Sequence, residues 1–315
     1  MVRETFASLL GQETAIELLC QAIAKQRIAP AYLFAGPAGV GRQLAARQFA
    51  ECLLSTSNAD ATVLKRRIEA RNHPDLLWVE PTYRHQGKTI TVAEAEALGV
   101  RRKSPPQIRL DQIRELTRFL SRPTLEAPRA VVVIVGAETM AEAAANGLLK
   151  TLEEPGQASL ILLAPDSASL LPTLVSRCQY IPFRRLSQDR MVAVLTQNEQ
   201  EAILQHPDIL AMAQGSPGQA ISAWQQLQDL PNELLSALQT RPTTLRQALE
   251  LARWINKELD IEAQLWLVDY LQQFYWQAQS MSAQLTAFEN ARSHLRRFVQ
   301  PRLVWEVTLM TLVTG

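Results

Sequence analysis

A glycine-rich turn near residue 36 constrains the fold more than any other feature of the sequence. The apolar run Ala31–Ala35 leads into Gly36-Pro-Ala-Gly-Val-Gly41, and a helical pattern continues from about Leu44 to Leu54. A strand, a glycine loop and a helix in this order form the unit that cradles phosphates, because backbone N–H groups and a helix N-terminus face one point. The sequence therefore predicts an α/β domain built around this loop.

Further strand and helix patterns follow the loop. Three short apolar runs have the length of buried strands: Leu76–Val79, Val131–Val135 and Ser159–Ala164. The second is continuously β-branched or apolar, as is typical of a central parallel strand covered on both faces. Helical patterns lie between the runs, one expected to be capped by Asp111 and one expected from Ala141 to Glu154, ended by Pro155-Gly156.

The pattern changes from about residue 184, where strands give way to helical periodicity. Five of the six tryptophans lie in this part of the chain: Trp224, Trp254, Trp266, Trp276 and Trp305. A chain of 315 residues is too long for one ordinary core. We therefore predict three domains: an α/β domain at 1–183, a small helical domain at 184–226 and a larger helical domain at 227–315.

Composition limits the classes of partner and compartment. The formal net charge of +1 gives the molecule no strong overall field toward nucleic acid. No run approaches the roughly 20 apolar residues that span a bilayer, so a cytoplasmic protein without a membrane partner is expected. The three cysteines, Cys20, Cys52 and Cys178, are too far apart for a disulfide framework or a zinc site, and the first two are expected in the core.

The glycine loop has the frame of a nucleotide site without its chemical groups. Gly36 and Gly41 have the spacing of GxxxxGK[ST], with Gly39 between them. Arg42, however, replaces the lysine that reaches the terminal phosphates, and Gln43 replaces the hydroxyl that holds Mg²⁺. A dinucleotide fingerprint would require a small residue where Leu44 stands, which argues against a dehydrogenase.

The acidic groups of an ATPase are also missing. Aligned on the following helix, Val135 and Gly136 occupy the two positions where an Asp-Glu pair would hold the metal shell and polarise water. Glu138 comes two residues after these acidic positions, although a shift of the loop would bring its carboxylate nearer to them. Without lysine, hydroxyl and acids, the charge of phosphoryl transfer has little to neutralise it. We expect no intrinsic ATPase activity.

Several motifs together resemble the clamp-loader subunits of bacterial DNA polymerase III, which belong to the AAA+ clan. Residues 143–155 resemble the segment AANALLKTLEEP, and Ser176-Arg177-Cys178 is similar to the SRC motif. Three shorter segments extend the likeness over residues 6–183: Leu9–Gln12, Ile28–Pro37 and His73–Asp75. The resemblance implies a RecA-like AAA+ domain, a helical lid and a helical collar that joins a heteromeric ring.

Within that family, a chain that lacks the catalytic groups of the glycine loop but keeps the SRC motif resembles the delta prime type. Subunits of the gamma/tau type keep the lysine, the hydroxyl and the acidic pair. The lid segment Gly215–Ala220 agrees, because Gly218 stands where active subunits carry a phosphate-sensing arginine. Family members often hold zinc with four cysteines, but only Cys52 lies in that region here. The chain resembles a cyanobacterial-like variant that binds no zinc.

The resemblance also assigns roles to residues. Arg177 is implied to be an arginine finger that acts in trans on ATP bound by a neighbouring subunit, with Ser176 and Cys178 as its support. Lys150, Glu153 and Glu154 are expected to cap and solvate their helix, with a DNA or partner contact as the alternative.

The segment from residue 83 to residue 106 is polar and is expected to be a long exposed loop, with DNA contact as the less favoured alternative. Its basic residues are Arg84, Lys88, Arg101, Arg102 and Lys103.

The implied function is that of a non-catalytic subunit of the DNA polymerase III holoenzyme. Its partners would be the gamma/tau and delta subunits, with the sliding clamp and primer-template DNA met by the assembled loader. No cofactor would be required. Whether the degenerate glycine loop still binds a nucleotide is open. Two alternatives also remain open: an active clamp-loader ATPase of the gamma/tau type, and a stand-alone nucleic-acid-binding adaptor.

Overall fold

The structure is a computed structural model that describes residues 2–56, 60–85, 87–98, 105–154, 156–277, 282–297 and 299–314. The chain divides into two compact units, Met1–Arg185 (unit 1) and Leu186–Gly315 (unit 2). The predicted basic residues Arg101, Arg102 and Lys103 and the predicted helix stop at Pro155 lie outside the described residues.

Unit 1 alternates strands with helices. Its elements are α1 Val2–Thr5, α2 Glu13–Ala24, β1 Ala31–Ala35, α3 Arg42–Leu54, α4 Ala61–Glu69, β2 Leu76–Val79, β3 Thr82–His85, β4 Lys88–Thr91, α5 Val92–Ala97, α6 Leu110–Leu120, β5 Ala130–Val135, α7 Glu142–Glu153, β6 Ala158–Ala164, α8 Pro172–Val175 and β7 Gln179–Pro182. A short 3₁₀ turn, Ala137–Thr139, follows β5.

Five strands form one parallel sheet in the order β2-β5-β6-β1-β7. Every residue of β1 and β6 is buried, because helices cover both faces of the sheet. One face packs on α6, α7 and α8 through an apolar cluster that includes Leu33, Leu148 and Leu174. On α3, Phe49 meets Tyr32 edge-on, with ring centroids 4.9 Å apart. The predicted parallel α/β fold is confirmed.

Where the structure describes it, the segment predicted as a long loop at 83–106 is regular from residue 83 to residue 97. β3 and β4 form an antiparallel hairpin with Thr82 opposite Thr91, and α5 follows directly. Thr91 and Glu94 start this helix with a reciprocal cap, in which Thr91 N donates to Glu94 Oε2 at 2.7 Å and Glu94 N donates to Thr91 Oγ1 at 3.2 Å. Gly87, at φ +80°, makes the tight hairpin turn possible. The polar composition of this segment gives no hydrophobic pattern from which the hairpin and helix could be predicted.

The predicted N-cap at Asp111 is also wrong. α6 begins at Leu110, and Arg109 takes the capping position. The reason is Gln112, whose Oε1 accepts the backbone N–H of Arg109 at 3.0 Å and whose Nε2 donates to the Glu80 carbonyl at 2.8 Å. These bonds start the helix earlier and leave Asp111 exposed in its first turn.

The His73-Pro74-Asp75 segment has a structural role. The buried Asp75 carboxylate accepts backbone N–H groups from Leu125, Glu126 and Ala127 at 2.7, 2.8 and 2.8 Å. Burial alone would raise the pKa of Asp75, but these three donors outweigh it and hold the pKa below its ordinary value. The segment therefore fixes the turn that leads into β5.

We expect Asp75→Asn to lower the free energy of unfolding by about 2–4 kcal/mol, because charge-assisted hydrogen bonds are lost and an amide group faces N–H donors. Since the folded pKa of Asp75 is depressed, its contribution is present above the unfolded pKa of about 4 and is lost as pH falls through the folded pKa. Urea unfolding at pH 7 and pH 3 measures both effects. The exposed Asp111→Asn is the control, and equal stabilities of the two variants at pH 7 would refute this role.

All regular elements among the described residues of unit 2 are helices. It contains α9 Gln188–Gln197, α10 Pro207–Ala213, α11 Pro217–Asp229, α12 Asn232–Gln239, α13 Leu245–Glu258, α14 Ile261–Gln277, α15 Ser282–Arg296 and α16 Pro301–Thr314, with a 3₁₀ turn at Glu201–Gln205. Among the described helices of both units, none has the length and apolarity to cross a membrane.

The core of unit 2 is organised around α14. Trp305 is fully buried, and its indole N–H donates to Gln264 Oε1 at 2.9 Å. The Tyr270 hydroxyl accepts from Gln239 Nε2 at 2.9 Å, and burial together with the Asp208 carboxylate raises the pKa of Tyr270. These contacts connect α10, α12, α14 and α16 within one unit. The division into domains at 184–226 and 227–315 stays a prediction.

Candidate functional site

The glycine loop follows β1 and starts α3, as the sequence predicts, but packing and backbone conformation account for Gly36 and Gly41, and Gly39 has a left-handed φ of +76°. A Cβ at Gly36 would lie 2.3 Å from the Phe183 carbonyl oxygen. Gly41 has φ +104°, and a Cβ there would lie 2.6 Å from Leu9 Cδ1. A side chain would therefore be excluded at Gly36 and strained at Gly41. The glycine frame alone does not indicate that a phosphate binds.

Gln12 closes the loop from the side, a role that sequence reasoning missed. This buried side chain donates from Nε2 to the Val40 carbonyl at 3.1 Å and to the Arg184 carbonyl at 2.7 Å. Its Oε1 accepts the Arg184 backbone N–H at 3.0 Å. A buried glutamine that satisfies three backbone groups holds the loop against the segment after β7. The only sequence sign was its place in the segment Leu9–Gln12.

The two residues after the glycine loop open α3 and differ in exposure. Gln43 is exposed. Arg42 is half-buried, and burial lowers the pKa of its guanidinium while the Glu138 carboxylate acts in the opposite direction. The 3₁₀ turn after β5 thus brings Glu138 near enough to interact electrostatically with Arg42.

The backbone accounts for one of the two missing acids, the one at Gly136. β5 ends at Val135, and Gly136 adopts φ +64° before the 3₁₀ turn. A Cβ at Gly136 would lie 3.1 Å from Pro81 Cγ. A carboxylate side chain at Gly136 would need a left-handed backbone and a shift of Pro81. This end of β5 is shaped for glycine rather than for an acidic residue.

Arg177 lies just after α8 on the surface and makes two contacts within its own chain. Nη1 donates to the Thr173 carbonyl at 3.0 Å, and Nη2 donates to Glu153 Oε1 at 2.8 Å. Its side chain is 37% exposed and that of Glu153 is 53% exposed. Glu153 therefore does more than cap and solvate its helix, because it also forms an ion pair with Arg177.

Ser176 and Cys178 hold the backbone on either side of Arg177. Ser176 Oγ donates to the Thr173 carbonyl at 3.1 Å and closes the end of α8. Cys178 is half-buried and packs against the apolar cluster under the sheet. Burial raises the pKa of its thiol to about 11, so the thiol is protonated at neutral pH and does not act as a nucleophile.

The structure does not bring Arg177 and the glycine loop together. β7 runs parallel to β1, with Gln179 beside Tyr32 and Pro182 beside Ala35. The loop therefore follows the carboxyl end of β1, whereas Arg177 precedes the amino end of β7. The paired part of β1 and β7 is four residues long, which is roughly 13 Å at 3.3 Å per residue. Arg177 and the glycine loop therefore lie at opposite ends of these paired strands.

The cysteines of the described residues do not form a metal site. Cys20, Cys52 and Cys178 are free and half-buried. Over the described part of the chain, no three His, Cys, Asp or Glu side chains cluster as metal ligands. The expected absence of zinc stays a prediction.

Comparison with known proteins gives the family. A profile described as "DNA polymerase III, delta subunit" matches residues 11–187, and one described as "Cyanobacterial DNA polymerase III delta prime, C-terminal domain" matches residues 189–312. The chain is 32% identical over 213 residues to DNA polymerase III subunit delta' of Bacillus subtilis, covering 61% of this chain and 58% of the relative. It is 34% identical over 199 residues to the Pseudomonas aeruginosa subunit delta', covering 60% and 54%.

The matched region is thus less than two thirds of the length of these relatives. A solved structure of a DNA polymerase III gamma subunit-related protein from Thermotoga maritima has a TM-score of 0.54 and 16% identity, covering 96% of this chain and 99% of that one. At this identity the likeness supports the fold alone. The profile over unit 1 spans more than half of the sequence, and that over unit 2 agrees with it. The chain therefore belongs to the DNA polymerase III delta subunit family, with a C-terminal domain of the cyanobacterial delta prime type.

Proposed function

We propose that this chain is the non-hydrolysing delta prime subunit of a clamp loader and that it supplies Arg177 to the ATP site of a neighbouring subunit. The observation that carries the proposal is the position of Arg177 before the amino end of β7, whereas the glycine loop of the same chain follows the carboxyl end of β1. A guanidinium at that end of the strands lies away from the glycine loop of its own chain. Its use therefore requires a second subunit.

The composition of the chain's own loop supports the first half of the proposal. Arg42 stands in place of the lysine, Gln43 offers no hydroxyl, and Gly136 occupies an acidic position. Catalysis of phosphoryl transfer relies on a positioned metal ion and charges around the γ-phosphate. Because these groups are absent together, no single substitution would restore turnover. The protein requires no cofactor under this proposal.

The proposed partners are the gamma/tau and delta subunits, with the sliding clamp and primer-template DNA bound by the assembled loader. Unit 1 would act as a rigid wall against the neighbouring ATPase subunit. Unit 2 would supply the lid at 184–226 and the collar at 227–315. The family membership of both units supports this arrangement.

We expect the purified chain to hydrolyse ATP no faster than a buffer control, with or without DNA and clamp. The double variant Arg42→Lys/Gln43→Thr should remain inactive, because the acidic pair is still missing. Colorimetric phosphate release measures both. A turnover of roughly 1 per second or more by the wild-type chain alone would contradict the proposal and favour the ATPase alternative. The adaptor alternative would be favoured if the isolated chain bound DNA tightly and did not co-elute with the loader subunits.

A further inference from the structure

The contact between Arg177 and Glu153 joins two elements of unit 1. Glu153 is the last residue of α7, and Arg177 follows α8. The guanidinium is held at Nη2 by the Glu153 carboxylate and at Nη1 by the Thr173 carbonyl. The two acceptors lie on different helices, so together they fix the orientation of the planar group.

The end of α7 that carries Glu153 is held by packing. The residues just before Glu153 are buried, with Thr151 at 8% and Leu152 at 4% exposure. Leu152 belongs to the same apolar cluster as Leu174 of α8. Thr151 Oγ1 also lies 3.4 Å from Thr117 Oγ1 of α6, within hydrogen-bond distance. The carboxylate of Glu153 therefore projects from a helix end that is fixed by packing.

We propose that Glu153 is a positioning residue, which holds the Arg177 guanidinium at the surface of unit 1 in the orientation that the neighbouring ATP site requires. This inference rests on the proposed function of Arg177. An arginine side chain loses conformational entropy when it is fixed in one geometry. A fork that is already held in the free subunit loses less entropy when the ring assembles.

The contact leaves the guanidinium able to bind a second anion. Of its five N–H donors, one goes to Glu153 and one to Thr173, and the remaining donors are not used by these two contacts. The carboxylate makes an end-on contact through one oxygen rather than a bidentate pair. Glu153 therefore orients the arginine without consuming the donors that a γ-phosphate would accept.

The test uses complete loader complexes reconstituted with wild-type chain, with one of the single variants Arg177→Ala, Glu153→Ala, Glu153→Gln or Glu154→Ala, or with the double variant Arg177→Ala/Glu153→Ala. DNA- and clamp-stimulated ATPase gives kcat and KM for each, and gel filtration confirms equal assembly. The relevant quantity is the Arg177-dependent part of kcat, which is the difference between wild type and Arg177→Ala. Glu154→Ala is the matched control, because it removes the exposed neighbouring carboxylate.

We expect Glu153→Ala to lower the Arg177-dependent kcat about two- to fivefold, which is the range of an exposed ion pair, without changing KM for ATP. Glu153→Gln should stay within about twofold of wild type, because its amide oxygen still accepts from Nη2. Arg177→Ala/Glu153→Ala should equal Arg177→Ala alone, since a positioning residue has nothing left to position.

The outcomes separate the inference from the proposed function. If Arg177→Ala lowers kcat but Glu153→Ala leaves it unchanged or raises it, Glu153 does not position the arginine and only the inference fails. A double variant slower than Arg177→Ala would give Glu153 an independent role and would also overturn the inference. If Arg177→Ala itself leaves ATPase and clamp loading unchanged, the proposed function fails and the inference fails with it.

Discussion

Complexes that contain Arg177→Ala are expected to assemble normally and to lose most of the ATP turnover at the one site that this subunit is proposed to complete. Arginine fingers in other phosphoryl-transfer systems contribute about 10³ to 10⁵ in rate. The ring would have further ATP sites with their own fingers, so the total ATPase should fall only in part while clamp loading falls more. Arg177→Lys should not restore the rate, because an ammonium lacks the planar fork.

The measurement is DNA- and clamp-stimulated ATPase together with clamp loading, on complexes checked by gel filtration. Folding should hardly change, because the Arg177–Glu153 pair is exposed and such pairs contribute at most about 1 kcal/mol. Arg114→Ala is a matched control, since it removes another exposed arginine that pairs with a carboxylate, Asp111, in unit 1. Intact complexes with unchanged ATPase and clamp loading would show that Arg177 is only a surface charge.

Buried strands could be predicted closely from the sequence. The runs at Ala31–Ala35 and Leu76–Val79 are the observed β1 and β2, and β5 and β6 each begin one residue before the predicted runs. Continuous apolar runs identify such strands because both faces of a parallel sheet are covered. The hairpin β3–β4 was missed because it is held mainly by local backbone pairing and a tight turn at Gly87 rather than by burial. Hydrophobic pattern carries little information about such an element.

The candidate site could be predicted only as a set of positions. The sequence showed that the loop lacks a lysine at Arg42 and acids at Val135 and Gly136, but it did not show why. The reason at Gly136 is a left-handed backbone against Pro81, which depends on tertiary packing. The buried Gln12 bonds and the Arg177–Glu153 pair likewise join residues 172 and 24 positions apart in the chain. Contacts of that separation cannot be read from local periodicity.

A chain that ends at Arg185 is expected to fold but not to co-elute with the gamma/tau and delta subunits. Unit 1 contains the whole five-stranded sheet and its apolar cluster, so it should keep its secondary structure. Unit 2 has its own core around Trp305 and exposes large apolar side chains on α16, with Leu303 at 50% and Val307 at 53% exposure. Exposed apolar surface of this kind is suited to contact with partner subunits.

The cut belongs at Arg185 rather than at residue 226, because α10 packs against α14 and its Asp208 interacts with Tyr270. Removing only 227–315 would strip α10 of this partner, and failed assembly would then be confused with unfolding. Circular dichroism should show a folded 1–185 fragment, and gel filtration with the other subunits should show it eluting alone. The complementary fragment 186–315 should still co-elute with the partners. If the 1–185 fragment instead enters the complex at normal stoichiometry, unit 2 is not the assembly domain, and the contacts that hold the ring must lie on the α/β unit that carries Arg177.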